Sequence, residues 1–387
     1  MNARTIAMRI GVLALAATQL WCADSDDPMP PPPSASDGGV DSGAPEDAAR
    51  GDGDAQLPDE CTDAFCRVTL PDAETVALDG VWVKSASEIW IVGSNGYAAR
   101  FDGTSWRKIA TGTKSTIFAV AGSGDGTVWG VSGGQFLSLD RDVDGGVEAV
   151  DASFKGIVRA VATFGQRDAW AVGNTFPSFF EDPPPPSTYI WRYAPAADGS
   201  GYAWQAVSPP CPEGEWGQPK CVELRAVWAE SAERQWFAGS EGKIFRTDAS
   251  GSDAGGSADP LTLVEMNSSS LRRLDALWGS GANDIWAVGA QGVIRHYTGG
   301  DAWTVVPSPV TEDLHGVWGS RADDVWAVGD DGVVLHWDGT AWSVIPTPYG
   351  LENRPRLYAV AGVGTDVWIA GEGTLLRSKA VGIGGDR

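Results

Sequence analysis

The sequence predicts an all-β protein: a seven-bladed β-propeller closed by an N-terminal strand and preceded by a signal peptide and a disordered linker. Three observations support this: a tryptophan motif that occurs seven times, a period near forty residues, and four strand-like segments in each clear repeat. Successive motif tryptophans lie 39, 41, 66, 50, 40 and 42 residues apart, a spacing typical of propeller blades. Each is followed by small or apolar residues, and we interpret them as the anchors of the blade cores: Trp90, Trp129, Trp170, Trp236, Trp286, Trp326 and Trp368.

Residues 1–22 have the pattern of a bacterial export signal. Two arginines precede an apolar run over residues 10–17, which is too short to cross a bilayer. Cys22 follows this run and is the odd one of five cysteines, a position typical of bacterial lipoproteins, so we predict that it is lipidated. Trp21 stands where the lipidation signal has a small residue, and the alternative is ordinary cleavage near residues 14–16.

Residues 23–60 are predicted to form a disordered, acidic linker rich in Pro, Gly and Ser. Eleven acidic residues face one base, Arg50, and aromatic residues are absent, so the segment has little apolar surface to bury. It would space the propeller, residues 61–387, from a surface. The whole chain carries a net charge of −23, which argues against nucleic-acid binding and against adsorption to anionic membranes. We therefore expect membrane contact only through an N-terminal lipid anchor.

The clearest repeat contains four strands, A to D, at residues 314–320, 324–329, 332–337 and 342–346. Glycine is the third residue of the B–C connections, which predicts a type I turn closed by a left-handed residue in a G1 bulge.

Seven A–B–C sets are present, but the last one has no D strand after it. A D-like segment at residues 66–71 precedes the first A strand, so we predict that it completes the seventh blade and covers an exposed edge. A disulfide between Cys61 and Cys66 would hold this strand in place. Cys211 and Cys221 would form a second local disulfide in an oxidising compartment.

An acidic residue two positions before the motif tryptophan varies together with a basic residue on strand C. One interpretation is a ring of basic ligand-binding groups or metal-binding histidines. We favour an ion pair within each blade, because a base partnered by an acid is already satisfied. The expected pairs are Glu88 with Arg100, Asp168 with Arg192, Asp284 with His296, Asp324 with His336, and Asp366 with Arg377.

Residues 140–151 match the calcium-loop pattern D-x-D-x-D-G with a carboxylate at position twelve. The segment lies in the C–D connection of blade two and resembles the calcium-binding hairpin loops of integrin-type propellers. Ca²⁺ is the one cofactor that the sequence suggests, in a stabilising role; the alternative is a plain acidic hairpin turn. The expected ligand residues are Asp140, Asp142, Asp144, Gly146 and Asp151.

The B–C and D–A connections of a propeller share one face, and two long insertions fall there. One contains Phe179, Phe180 and Asp182, and the other contains Trp216 between its two cysteines. These residues are predicted to form a binding patch; the alternative is that the aromatic side chains cap blade edges. Variable residues entering strand A are expected to ring the same face: Asp79, Phe118, Arg159, Arg225, Asp275, His315 and Tyr358.

The tryptophan motifs and four-strand repeats resemble the Trp-rich propeller-repeat lipoproteins of Gram-negative bacteria and, more loosely, BNR/sialidase-like propellers. The first resemblance implies a cell-envelope location, as an outer-membrane lipoprotein; the alternatives are a periplasmic or secreted protein. No catalytic set of residues is identified. The sequence therefore predicts a monomeric, non-enzymatic scaffold that binds a protein or glycan, and the alternative is a carbohydrate-active enzyme of glycoside hydrolase or lyase type.

Overall fold

A computed structural model describes residues 61–379, apart from residue 74 and residues 124–125, 144–145, 152–155, 165–167, 176–187, 197, 208–221 and 248–261. The described residues form seven antiparallel sheets of four strands each. This confirms the predicted all-β, seven-bladed propeller. Within this part of the chain, no helix has the length and apolar character needed to cross a membrane.

Each blade runs from an innermost strand A to an outermost strand D. The A strands are β2 (Leu78–Ser85), β6 (Ile117–Gly122), β10 (Gly156–Thr163), β14 (Leu224–Ala229), β18 (Leu274–Gly281), β22 (Leu314–Arg321) and β26 (Leu357–Val363). The B strands are β3 (Glu88–Gly93), β7 (Val128–Ser132), β11 (Ala169–Thr175), β15 (Gln235–Gly239), β19 (Asp284–Gly289), β23 (Asp324–Gly329) and β27 (Asp366–Gly371). The C strands are β4 (Ala98–Phe101), β8 (Gln135–Val143), β12 (Thr188–Pro195), β16 (Ile244–Thr247), β20 (Ile294–Tyr297), β24 (Val334–Trp337) and β28 (Thr374–Ser378). The D strands are β5 (Trp106–Lys108), β9 (Gly146–Asp151), β13 (Tyr202–Val207), β17 (Leu263–Met266), β21 (Thr304–Val306), β25 (Trp342–Val344) and β1 (Phe65–Arg67).

The hydrophobic core is divided into seven clusters, one between each pair of neighbouring blades. Trp286, for example, packs with Leu314 and Val325 between blades five and six. Trp368 packs with Leu78 and Ile89, which joins blade seven to blade one. The motif tryptophans thus lie in the contacts between sheets, and six of the seven are buried while Trp326 is partly exposed.

A second set of tryptophans, on the A strands, interlocks with glycines of the following blade. A Cβ atom at Gly122 would lie 2.1 Å from two ring atoms of Trp82, and a Cβ atom at each of the other glycines of the set would lie 2.6 to 2.8 Å from a tryptophan ring atom, too close for a side chain. Three A strands have alanine in place of the tryptophan. In each case the next blade has a larger residue in place of the glycine: Thr163, Ala229 or Val83. The tryptophan and glycine therefore vary as a pair across the blade interface: Trp82 with Gly122, Trp228 with Gly279, Trp278 with Gly319, and Trp318 with Gly362.

The seventh sheet takes its outermost strand from the start of the described chain. Strand β1 pairs antiparallel with β28, and the Val68 N–H continues the pairing with a hydrogen bond of 2.8 Å to the Leu375 carbonyl. Phe65, the first residue of this pairing, is fully buried against Trp326 of blade six. The predicted Cys61–Cys66 disulfide is present at this position. Cys22, Cys211 and Cys221 lie outside the described residues.

The B–C turns differ from the sequence prediction of a type I turn with a G1 bulge, which is wrong for four blades. In blade one, the Tyr97 N–H bonds to the Ser94 carbonyl, and both Asn95 and Gly96 have positive φ, 56° and 68°. Two central residues with positive φ are the signature of a type I′ turn, whose twist matches that of the flanking strands. Gly96 is also required by packing, since a Cβ there would lie 2.0 Å from the Thr113 carbonyl oxygen of the D–A connection.

Candidate functional site

The seven residues that enter the A strands share one structural position. In every blade the A–B pairing shifts register near the start of strand A, after the first residue pair in six blades and after the third in blade three, so one residue of strand A is bulged out of the ladder. A bulge re-aims its side chain and is common beside functional sites. The bulged residues, all partly buried, are Asp79, Phe118, Arg159, Arg225, Asp275, His315 and Tyr358. We call this set the bulge ring.

Close packing of the A strands brings neighbouring members of the bulge ring together. The residue after each bulge is glycine or alanine. A Cβ atom at Gly80 would lie 3.2 Å from the Ala119 Cα atom of the next blade, and one at Gly316 would lie 3.1 Å from the Tyr358 carbonyl oxygen. Each A strand therefore contacts the next one around the whole circle, and the bulged residues occupy equivalent positions around it.

From blade three to blade five the ring carries a chain of alternating charges. Glu223 Oε1 lies 2.8 Å from Arg225 Nη1 and 3.4 Å from Arg159 Nε. Asp275 Oδ1 accepts hydrogen bonds from Arg225 Nε at 2.6 Å and from Arg273 Nε at 2.9 Å. The Asp275 side chain is only 6% exposed, so these two guanidinium groups compensate a nearly buried carboxylate.

The chain of polar contacts continues into blades six and seven. Arg273 Nη2 reaches Asp313 Oδ2 at 2.9 Å. His315 Nε2 lies 2.8 Å from Asp330 Oδ1, which also lies 3.6 Å from Arg356 Nε.

These contacts form an arc from Arg159 in blade three to blade seven, and Tyr358 extends the arc towards blade one. Its hydroxyl donates to Glu372 Oε1 at 3.4 Å, and its ring centroid lies 5.9 Å from that of His315. Burial, the Glu372 carboxylate and the Asp79 carboxylate raise the pKa of the Tyr358 hydroxyl. Tyr358 therefore lies within electrostatic reach of Asp79.

Asp79 is the acidic end of the arc, and it has no counter-ion. Its Oδ2 atom is buried without a hydrogen-bond partner, and among the described residues no cation forms an ion pair with it. Burial raises the pKa of the Asp79 carboxyl to about 7. Its neighbours in the ring are the aromatic residues Phe118 and Tyr358, so a partly buried carboxyl occupies the bulge position between two aromatic ones.

Arg159 is the basic end of the arc. Its Nε atom is within ion-pair distance of Glu223 but makes no hydrogen bond with suitable geometry. Burial, reinforced by the nearby Arg225, lowers the pKa of the Arg159 guanidinium, although Glu223 opposes this shift. The ring therefore has two incompletely satisfied groups of opposite charge, Asp79 and Arg159, with Phe118 between them.

The acid–base pairs expected from the repeat are present and pack against the motif tryptophans. In blade six, Asp324 Oδ1 receives hydrogen bonds from the Trp326 indole N–H at 3.1 Å and from His336 Nε2 at 2.8 Å. The His336 ring lies 4.3 Å from that of Trp326. The arginines of blades one, three and seven lie over their tryptophans in the same way, with distances of 4.9 to 5.2 Å from the arginine Cζ atom to the ring centroid. The remaining pairs are Glu88–Arg100 at 3.3 Å, Asp168–Arg192 at 4.0 Å, Asp284–His296 at 2.5 Å and Asp366–Arg377 at 2.9 Å.

Blade four has Arg234 in place of the acid two residues before the motif tryptophan. Here the acid is Glu230, which directly follows strand β14. Glu230 accepts from the Trp236 indole N–H at 3.2 Å and from Arg234 Nη1 at 3.3 Å. Arg246 lies over the Trp236 ring at 5.5 Å. In blades four and six the acid, the base and the indole N–H satisfy one another. In blades one, three, five and seven the base pairs with the acid and packs on the tryptophan ring, so we assign all these groups to the blade scaffold.

The predicted calcium segment forms a β-hairpin. Strands β8 and β9 pair through Asp142 with Val147 and through Val143 with Gly146. The Asp140 Oδ1 atom accepts hydrogen bonds from the Val128 N–H at 2.8 Å and the Ser138 hydroxyl at 3.2 Å, so one predicted ligand already has protein partners. Asp144 lies outside the described residues, as do the side chains of the other ligand positions. Calcium binding stays a prediction, tested by whether Ca²⁺ raises the melting temperature of the wild type and not of Asp142→Ala.

The two insertions predicted to form a binding patch fall in residues 176–187 and 208–221, outside the described residues. Phe179, Phe180, Asp182 and Trp216 are therefore not placed.

Sequence reasoning identified the bulge ring but missed its partners. Glu223, Arg273, Asp313 and Arg356 each stand two residues before a bulged residue, separated from it by a buried leucine. Their signs alternate from blade to blade, and in blades four to six a basic bulged residue follows the acid and an acidic one follows the base. This alternation is the sequence signal of contacts between neighbouring blades, and it stops before Asp79, where the corresponding residue is Ala77.

Comparison with known proteins supports the architecture. No family model and no curated protein sequence matches this chain. Among solved structures, YCF48 from Cyanidioschyzon merolae is similar with a TM-score of 0.58 and 18% identity, over 81% of this chain and 98% of that one. Virginiamycin B lyase from Staphylococcus aureus gives 0.60 and 13%, over 82% and 99%. The WD40 propeller domain of Doa1 gives 0.56 and 12%, over 82% and 97%. At these identities the likeness shows the β-propeller fold alone.

Proposed function

We propose that this protein is a non-enzymatic scaffold that binds a segment of a partner protein on the face that carries the B–C and D–A connections. One observation carries the proposal: seven bulges place variable, mostly polar side chains on an otherwise repetitive framework. A bulge at every blade keeps the backbone constant while the side chain differs, which suits recognition better than stability.

Exposed apolar residues favour the same face. Leu271 and Leu351, 90% and 81% exposed, are the two most exposed large apolar residues in the described part of the chain. Both lie in D–A connections, on the side of the molecule where the bulge ring lies. Single exposed apolar residues are ordinary, but two beside a ring with unsatisfied charges suit a docking surface.

The structural neighbours are compatible with protein binding. One solved structure of YCF48 is described as bound to D1 peptide, and it covers 82% of this chain with a TM-score of 0.55 and 18% identity. By analogy of fold we propose a peptide segment as partner here.

We further propose that the protein works at the bacterial cell envelope, held by a lipid on Cys22 at the end of the acidic linker. A Cys61–Cys66 disulfide suits an oxidising compartment. Metabolic labelling with a fatty-acid analogue should label the wild type, and Cys22→Ala should be unlabelled and released from the membrane fraction. Equal labelling of both proteins would contradict the anchor.

Site-specific photocrosslinking tests the binding face. A benzophenone side chain at Leu271 should crosslink a partner in intact cells. The same group at Tyr202, which is also exposed but begins strand β13 at the C–D end of blade three, is the matched control. Equal crosslinking at the two positions, or crosslinking at Tyr202 alone, would contradict the proposed face.

An enzyme remains the second candidate, because one observation favours it: the Asp79 carboxyl has a pKa of about 7, a value suited to proton transfer at neutral pH. A lyase is also among the structural neighbours. Turnover of a glycan by the wild type and its loss in Asp79→Asn, with binding retained, would replace the scaffold proposal by this one.

A further inference from the structure

The bulge ring satisfies almost all of its charges internally, and the exception indicates what it binds. Arg225 and His315 each contact a carboxylate, and Asp275 contacts two guanidinium groups. Asp79 has none of these partners, although its Oδ2 atom is buried. A carboxylate in such a position is costly to ionise unless a cation arrives from outside the chain.

The surroundings of Asp79 select the kind of cation. On one side the chain entering strand β2 bridges to Glu372 through Ala77, and Tyr358 bonds to the same glutamate. On the other side strand β6 has Phe118 at the equivalent bulge position, next to the backbone contact between Gly80 and Ala119. Two aromatic rings and a carboxylate suit an organic cation, which gains from ring faces as well as from charge.

A metal ion fits this position poorly. Calcium and magnesium require several oxygen ligands. Asp79 supplies one carboxylate, and the bulge positions on either side of it hold aromatic residues, which supply none. Glu372, the other acid near Tyr358, already accepts from the Tyr358 hydroxyl.

We propose that Asp79, between Phe118 and Tyr358, receives the ammonium or guanidinium group of a lysine or arginine side chain from the partner segment. This inference rests on the proposed function, since it names the residue type that the binding face selects. On blade seven the charged groups that act on Tyr358 beside the site are Glu372 and Arg356, and blade two has the uncharged Phe118 at its bulge position. Arg159 lies one bulge further, so a second positive charge on that side of the ligand would be repelled.

The site couples binding to deprotonation of Asp79. With the carboxyl pKa at about 7, a cation binds the ionised form and displaces a proton at and below neutral pH. Affinity should therefore fall about 10- to 30-fold between pH 8 and pH 5.5, because the ionised fraction falls by that factor.

The test uses the full exported chain and an acetylated, amidated Gly-Gly-Lys-Gly-Gly peptide, with norleucine in place of lysine as the uncharged control. Titration followed by NMR should show saturable binding of the lysine peptide at pH 8, weaker binding at pH 5.5, and no binding of the norleucine peptide. Asp79→Asn should abolish lysine binding. Asp301→Asn, which changes an exposed aspartate in blade five, should leave it unchanged.

Phe118→Leu gives a second, independent readout. It retains the carboxylate and the apolar volume but removes one ring, so it should weaken lysine binding several-fold while leaving the pH dependence in place. Equal affinity for lysine and norleucine peptides, a pH-independent affinity, or unchanged binding in Asp79→Asn would overturn the proposal.

A final arm separates a peptide from a free amine. n-Butylammonium binding as tightly as the lysine peptide would assign the site to small amines and overturn the proposed occupant. The crosslinking pattern at Leu271 is unaffected by any of these outcomes, so failure of the lysine site and failure of the binding face can be distinguished.

Discussion

At the scale of the residue, the Asp79 carboxyl lowers the stability of the fold whenever it is ionised. Burial raises its pKa to about 7, above the value of about 3.9 expected in an unfolded chain. Between these values the folded state binds more protons than the unfolded state, so the stability contributed by this group is full below pH 4 and is lost as the pH rises to 7. Because Asp79 destabilises the free protein at neutral pH, a role in folding does not account for it, whereas a role in binding does.

Asp79→Asn should therefore stabilise the protein at pH 8, by an amount on the order of 1–2 kcal/mol after allowance for solvent screening, and by much less at pH 4. Urea unfolding at both pH values measures the difference. Asp301→Asn is the control and should show no such pH-dependent gain. A wild type at least as stable as Asp79→Asn at pH 8 would show that the carboxyl has a partner in solution.

The motif tryptophans are unequal anchors although their sequences are alike. Trp286 is fully buried and packs against Trp337 and Trp342 of the next blade. Trp326 is partly exposed and meets Phe65 and His336. The sequence analysis treats the two tryptophans alike as blade anchors. Their burial differs because it depends on the side chains that the next blade packs against them.

Trp286→Ala should accordingly cost about 3–5 kcal/mol of unfolding free energy, as expected for a buried core tryptophan. Trp326→Ala should cost about 1 kcal/mol less, since part of its ring already faces solvent. Chemical denaturation of the two variants under one set of conditions gives the comparison. The reverse order would show that the Trp326–Asp324 hydrogen bond outweighs the difference in burial.

At the scale of the element, the tryptophan–glycine pairs determine how closely neighbouring A strands pack. The Trp82 ring occupies the space that a Cβ atom at Gly122 would need, and the three closest atoms to that Cβ all belong to Trp82. Gly122→Ala should cost about 1–3 kcal/mol through overpacking. In the Trp82→Ala background the same change should be nearly neutral, which gives a coupling energy measurable by a double-mutant cycle.

Gly281→Ala is the matched control for this cycle, because the glycine also lies in an A strand but has no atom within 4 Å of its added Cβ. It should change stability little. Additive effects of Gly122→Ala and Trp82→Ala would indicate that the blades separate to accommodate the methyl group.

The strands were predictable from sequence because each obeys a local rule, whereas contacts between blades were not. The motif tryptophan, the acid two residues before it and the strand C base lie within one hairpin, so their covariation was visible. Arg225 and Asp275 are 50 positions apart, and their hydrogen bond depends on the backbone contact between two A strands. The type I′ turns were missed because glycine at the third position fits both turn types. Asn95 with Gly96 does carry the type I′ signal, but the positive φ of Glu241 and Gln291 in the equivalent turns is not visible from their identities.

At the scale of the whole molecule, the propeller is a closed circle in which every blade depends on its two neighbours. The cluster between blades seven and one contains residues from both ends of the described chain, including Leu70, Leu78 and Trp368. The closing strand adds Phe65, buried between blades six and seven. A ring closed in this way should unfold as one unit, since opening one interface exposes the faces of two sheets.

Removal of the closing strand should therefore destabilise all seven blades together. Deleting residues 61–72 should lower the melting temperature in a single cooperative transition, whereas deleting the linker, residues 23–60, should leave it unchanged. Replacing Cys61 and Cys66 by serine tests the disulfide by itself. It should lower the free energy of unfolding by about 2 kcal/mol, as expected for a disulfide that closes a short loop. Tryptophan fluorescence and calorimetry would follow the transition. Two separate transitions in the 61–72 deletion would contradict unfolding as one unit, because they would mean that blades one to six remain folded without closure.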